Sequence, residues 1–138
     1  MKVGFTGTQE GLTIPQVQTL IEVFEMVEQS TVISEFHHGD CIGADKMAAL
    51  AAQDLGATIV GHPPDNPSKR CFFESDEQRD EKPYLVRNHE IVDEVGTLIA
   101  CPKGPSEELR SGTWATVRYA RKKKLDTVII YPDGNVGK

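Results

Sequence analysis

Along this 138-residue chain, short β-rich runs and stretches of helical period alternate about five times, the signature of a layered α/β fold. Val3 to Thr6 reads as a first strand, and residues 7–11 form a loop. Thr13-Ile14-Pro15-Gln16 has the form of a helix start, with Thr13 as N-cap, Pro15 in the first turn and Gln16 placed for a capping box. Ile14, Val17, Leu20, Ile21, Phe24 and Val27 continue it as an amphipathic stripe. Val32 to His38 is the second strand. The segment Gly39 to Asp45 then leads into a second helix whose expected buried face is Met47, Ala48, Ala51 and Leu55, with Gly56 as its stop. Ala57 to Gly61 is the third strand.

Tyr84 to Val95 returns to helical period, with Leu85, Ile91, Val92 and Val95 inward. Thr97 to Cys101 is continuously apolar, as a central parallel strand covered on both faces should be. A last helix starts at Ser111-Gly112-Thr113 and ends in Arg121 to Lys124, and Thr127 to Tyr131 is the fifth strand. The expected fold is a three-layer, Rossmann-like, doubly wound sheet of five parallel strands in the order 3-2-1-4-5. Its switch point lies between the first and fourth strands.

Residues 62–83 break this rhythm. His62-Pro63-Pro64-Asp65-Asn66-Pro67 cannot continue a strand, and the charged stretch up to Pro83 reads either as a lid or binding loop or as an excursion without a role. The length suits one domain over residues 1–138. With 15 basic against 21 acidic residues, the net charge of -6 argues against nucleic acid as a partner. No apolar run is long enough for a membrane span, and no signal-peptide pattern precedes Val3, so a cytoplasmic protein is expected. Cys41, Cys71 and Cys101 are an odd set without a C-x-x-C pair, giving neither a zinc site nor a disulfide framework.

In a doubly wound sheet, ligands lie beyond the carboxyl ends of the strands. The segments there are Gly7-Thr8-Gln9, His38-Gly39-Asp40, His62-Pro63, Cys101-Pro102 and the delayed Ser111-Gly112-Thr113. Glycines beside hydroxyl residues at a helix start can cradle a phosphate, and Arg110 and Arg118 would add cationic support to Ser111, Gly112 and Thr113. An ordinary N-cap would equally explain Ser111. Neither a dinucleotide fingerprint nor a Walker A motif is present. Asp40 and Asp45 read either as favourable charges near a helix N-terminus or as acceptors for ribose hydroxyls. Asn88 falls on the apolar face of its helix, where a buried amide needs a protein or ligand partner, and Arg87 lies beside it. His37 and His38 point to opposite faces. Pairing either with Asp40, Asp45 or His62 fits no metal-ligand spacing, so neither a metal nor a cofactor is expected.

Together, Gly4-Phe5-Thr6-Gly7-Thr8, His38-Gly39-Asp40-Cys41-Ile42-Gly43-Ala44-Asp45, His62-Pro63-Pro64, Arg87-Asn88, Leu98-Ile99-Ala100 and Ser111-Gly112-Thr113-Trp114 resemble the SLOG superfamily of Rossmann-like nucleotide-binding proteins. That group includes the LOG phosphoribohydrolases and the DNA-uptake protein DprA. The resemblance runs from Val3 to about Asp133 and implies a phosphate-containing ligand over the Gly7, Gly39 and Gly112 loops. It also makes a homodimer an expectation. The pattern departs at one place: the position of the catalytic glutamate of LOG enzymes is Thr116 here, and a hydroxyl cannot replace a carboxylate in glycosidic cleavage.

The expected function is therefore binding of a nucleotide or ADP-ribose-like small molecule by Gly7, Thr8, Gln9, Gly39, Asp40, Gly43, Asp45, His62, Arg87, Asn88, Ser111, Gly112 and Thr113. The alternative is an N-glycosidase acting on nucleoside monophosphates, with Asp40, Asp45 or Glu108 as its carboxylate.

Overall fold

The capping box at Thr13 forms in full. Thr13 Oγ1 accepts from the Gln16 amide at 3.1 Å, and Gln16 Oε1 accepts from the Thr13 amide at 3.0 Å. A computed structural model describes the whole chain, Met1 to Lys138. After β1 (Lys2–Gly7) come α1 (Ile14–Glu28), β2 (Glu35–His38), α2 (Ala44–Asp54) and β3 (Thr58–Gly61). A short 3-10 turn (Pro67–Lys69) and β4 (Glu77–Gln78) precede α3 (Tyr84–Glu94), β5 (Thr97–Cys101), α4 (Gly112–Lys122), β6 (Asp126–Ile130) and β7 (Val136–Gly137).

The sheet has seven strands rather than five, in the order β4-β3-β2-β1-β5-β6-β7. Both additions are two-residue edge strands. Within residues 62–83, Glu77 and Gln78 lie parallel to Val60 and Gly61, so that segment is partly built into the sheet. At the other edge, Gly134 at φ +88° turns the chain back, and β7 pairs antiparallel with β6. The sheet is therefore mostly rather than wholly parallel, and its order reverses at β1, between β2 and β5.

Two apolar clusters flank the sheet. On one face, Leu20 and Phe24 of α1 and Ala44, Ala48, Ala49 and Ala52 of α2 cover Val3, Phe5, Phe36 and Ile59. On the other, Val92 of α3 and Trp114, Val117 and Ala120 of α4 cover Leu98, Ala100 and Ile129. Three local expectations need correction. The second strand starts at Glu35, because Ser34 is tied to Met1 and Val32 is exposed. On α2, Met47 and Leu55 are exposed and the alanines face inward, since their small side chains let the helix lie close to β1. On α3, Leu85 is exposed, and the inward face carries Arg87 and Asn88.

Candidate functional site

Beyond the carboxyl ends of β1, β2 and β5 lies a cavity of about 320 Å3. Its wall takes Gly7, Thr8, Gln9 and Glu10 from the loop after β1, and Gly39, Cys41 and Asp45 from the turn into α2. Tyr84, Arg87, Asn88 and Ile91 come from α3, and Lys103, Glu108, Arg110, Ser111, Gly112 and Thr113 come from the segment leading into α4. The switch point thus brings together stretches more than a hundred residues apart in the chain.

Arg87 organises the floor. Its side chain is buried, with Nε donating to Asn88 Oδ1 at 2.7 Å and Nη1 donating to the carbonyls of Gly39 and, at 3.1 Å, His62. Nη2 donates to Cys41 Sγ at 3.3 Å, so four of the five guanidinium hydrogens are committed to the protein. Gly39 is required here, because a Cβ on it would stand 2.7 Å from Nη1. Arg87, expected beside the Asn88 face of its helix, thus has its charge and one remaining hydrogen to offer a ligand.

Asp45 sits at the start of α2, where its Oδ2 accepts from the amides of Gly39 at 2.7 Å and Cys41 at 3.3 Å. Burial pushes its carboxyl up to about 6, opposed chiefly by the Arg87 charge. Burial also raises the neighbouring Cys41 thiol. At the start of α2 the Ala44 amide bonds to Thr8 O at 2.9 Å, but Gly43 supplies no side-chain cap and the Asp45 and Lys46 amides make no bond within the protein.

At α4 a side chain caps the first turn. Ser111 Oγ accepts from the Trp114 amide at 3.3 Å, and Ser111 O accepts from the Ala115 amide at 2.9 Å. The amides of Gly112 and Thr113 make no bond within the protein, and both residues line the cavity. Tyr84, which the sequence reading passed over, lies against Gly112 so closely that a Cβ there would fall 1.1 Å from its hydroxyl.

Several expected site residues stand elsewhere. Asp40, in the left-handed region at φ +51°, turns away from the cavity. It accepts from the Phe73 amide at 2.9 Å, Cys71 Sγ at 3.2 Å and Arg70 Nε at 2.8 Å, clasping residues 70–73. Gly43 is structural, since at φ +91° its Cβ position is 2.4 Å from Gln9 O. The His62 ring faces the opposite side, and only its carbonyl supports the site, through Arg87. Arg118 binds the 107–109 segment through Glu107 at 2.9 Å and the Leu109 carbonyl at 3.1 Å, outside the cavity wall. Thr116 donates to Gly112 O at 2.9 Å within α4. The hollow is also of mixed charge, with Arg87, Lys103 and Arg110 set against Glu10, Asp45 and Glu108.

A second polar cluster lies under α3, where ligand atoms of His37, His62 and Glu94 fall within 4.8 Å of one another. His38, pointing the other way, contacts Ser75 Oγ at 3.0 Å and the Asp40 amide at 2.9 Å. Burial holds its imidazole down at about 4.

No protein-family model and no curated protein matches this sequence. Similar solved structures include a molybdenum cofactor binding protein from Rippkaea orientalis, with a TM-score of 0.70 and 17% identity, over 94% of this chain and 76% of that one. The structure of TM1055 gives 0.65 and 14%, over 91% and 71%. DNA processing protein A from Helicobacter pylori, described with its single-stranded DNA binding mode, gives 0.61 and 19%, over 94% of this chain and 64% of that one. At these identities the likeness is one of fold. No helix is long and apolar enough to cross a membrane.

Proposed function

We propose that this chain, which has the Rossmann-like fold of the SLOG superfamily, binds a small phosphate-bearing ligand of the nucleotide class in the cavity at the strand carboxyl ends. The observation that carries the reading is the pair of uncommitted amides at Gly112 and Thr113, which open the 11-residue helix α4 onto that cavity. Such N–H groups, aligned with the positive end of the helix dipole, are directed donors for a phosphate. They matter more than net field here, because the cationic and acidic side chains around the cavity balance in number.

The remaining parts divide by chemistry. Arg87 and Arg110 supply charge near the anion, and the unbonded Oδ1 of Asp45 is an acceptor for a sugar hydroxyl. Tyr84 closes the wall over Gly112. A volume of about 320 Å3 is at the small end of ligand pockets, about 300–1,000 Å3, which suits a mononucleotide better than an extended dinucleotide. A relative described as cofactor-binding fits a small-molecule partner.

Calorimetry against nucleoside monophosphates and ADP-ribose compounds tests the reading. Binding of at least one member is expected, and the absence of both heat and thermal shift across the panel would refute it. An N-glycosidase remains as a second reading because Glu108 lines the cavity without an ion-pair partner. Release of free base, lost in Glu108→Gln, would favour it; binding without turnover would dismiss it. With a net charge of -6, no retention of single-stranded DNA is expected in a mobility-shift assay.

A further inference from the structure

His37 and His62 are both completely buried on the α3 side of the sheet, with His37 in β2 and His62 just after β3. Their outer ring nitrogens are each held by a carboxylate. His37 Nε2 lies 2.8 Å from Glu35 Oε1, and His62 Nδ1 lies 2.7 Å from Glu90 Oε1. An ionised carboxylate only accepts, so each outer nitrogen carries its ring's proton. In neutral imidazoles the two inner nitrogens, His37 Nδ1 and His62 Nε2, then present lone pairs to each other across 2.8 Å. Two facing acceptors at that distance call for a cation between them.

We propose that the cation is a divalent transition metal of the zinc class, bound by His37 Nδ1 and His62 Nε2 with Glu94 as a third ligand. Imidazole that ligates a metal characteristically donates its other N–H to a carboxylate, the role Glu35 and Glu90 have here. A shared proton would need only the two nitrogens. What favours a metal is the third donor: Glu94 Oε2 stands 4.0 Å from the His62 ring, at Nδ1, and a turn of its carboxylate toward the inner nitrogens would complete a three-ligand set. Bonds of about 2.0–2.1 Å in tetrahedral geometry place two nitrogens about 3.3–3.4 Å apart, so the rings need open by only about half an ångström.

Arg79 competes for Glu94, with Nη2 at 2.6 Å from Oε1, and Lys82 pairs with Glu90. The site would pin β2 and β3 to α3 and, through the His62 carbonyl on Arg87, brace the floor of the cavity. Its chemistry is structural, and it is independent of the ligand proposed above.

The test is titration of chelator-treated full-length protein with zinc by calorimetry and with cobalt by absorption. One equivalent of metal is expected, with nitrogen–oxygen ligand-field bands and no thiolate charge-transfer band from the three free cysteines. Glu94→Gln should weaken binding at least about tenfold, and His37→Gln or His62→Gln should abolish it. Arg79 is a third exposed, so Arg79→Met can be made even if the buried histidine variants do not fold, and by freeing Glu94 it should tighten binding. No stoichiometric binding at about 100 μM metal, cobalt–thiolate absorption, or affinity indifferent to Glu94→Gln and Arg79→Met would each overturn the proposal. So would a proton resonance bridging the two rings that persists in excess metal.

Discussion

Replacing Arg87 with methionine probes the site through stability, and the outcome depends on pH. The arginine side chain is 2% exposed and has four protein acceptors, so its removal leaves Gly39 O, His62 O and Asn88 Oδ1 without their donor. Breaking a buried charged network from one side costs about 3–5 kcal/mol, a large share of the roughly 5–15 kcal/mol that stabilises a domain. Asp45 then makes the cost of losing Arg87 depend on pH. Its carboxyl titrates at about 6 in the folded protein, against an ordinary value of 3.8. Between those values the native state holds a proton that the unfolded chain has released. The Asp45 contribution to stability therefore falls as pH rises through that window, by about 3 kcal/mol, and levels off above it. The buried His38 imidazole, held down at about 4, contributes with the opposite sign in wild type and variant alike.

Arg87 is the main charge opposing that rise. Without it the Asp45 pKa climbs further, and the decline in stability extends to higher pH. The cost of Arg87→Met should thus be larger at pH 8 than at pH 5, and the difference should vanish in an Asp45→Asn background. Urea unfolding at both pH values, with and without Asp45→Asn, measures each quantity. Equal costs at the two pH values, or a loss below about 1 kcal/mol at pH 8, would refute the placement of a buried ion and its acid at the cavity floor.

Gly112→Ala should change stability by less than about 1 kcal/mol, since the partly exposed Tyr84 ring can swing outward, yet lower nucleotide affinity at least about tenfold. Thermal melts and calorimetry on one preparation separate the two effects. Gly43→Ala meets backbone instead, with Gln9 O at 2.4 Å and φ at +91°, and should destabilise by at least roughly 1–3 kcal/mol in urea. Asp40→Gly, which φ +51° accommodates, removes the clasp on residues 70–73. Hydrogen exchange at the Phe73 amide should accelerate by about tenfold or more, while ligand affinity stays the same, because Asp40 is outside the cavity wall.

The alternation of periods in this sequence was enough to locate five strands and four helices, because burying one face of each element leaves a repeat of two or 3.6 residues. The start of α1 was legible for a similar reason: a capping box is a contact between residues three apart. Cavity residues such as Gly7, Gly39, Ser111, Gly112 and Thr113 were identifiable because a doubly wound sheet fixes where strand ends converge. The two edge strands carry no such pattern, being only two residues long and defined by what they pair with. Local sequence could not reveal which of two neighbouring acids faces the hollow, because Asp45 and Asp40 differ only in which distant groups reach them: Arg87 for one, Arg70 and Phe73 for the other. In the sequence, ligand spacing argued against pairing His37 with His62. Ligand spacing along a chain speaks only for contacts made within one turn or loop, and these rings, 25 residues apart, meet because β2 and β3 lie side by side.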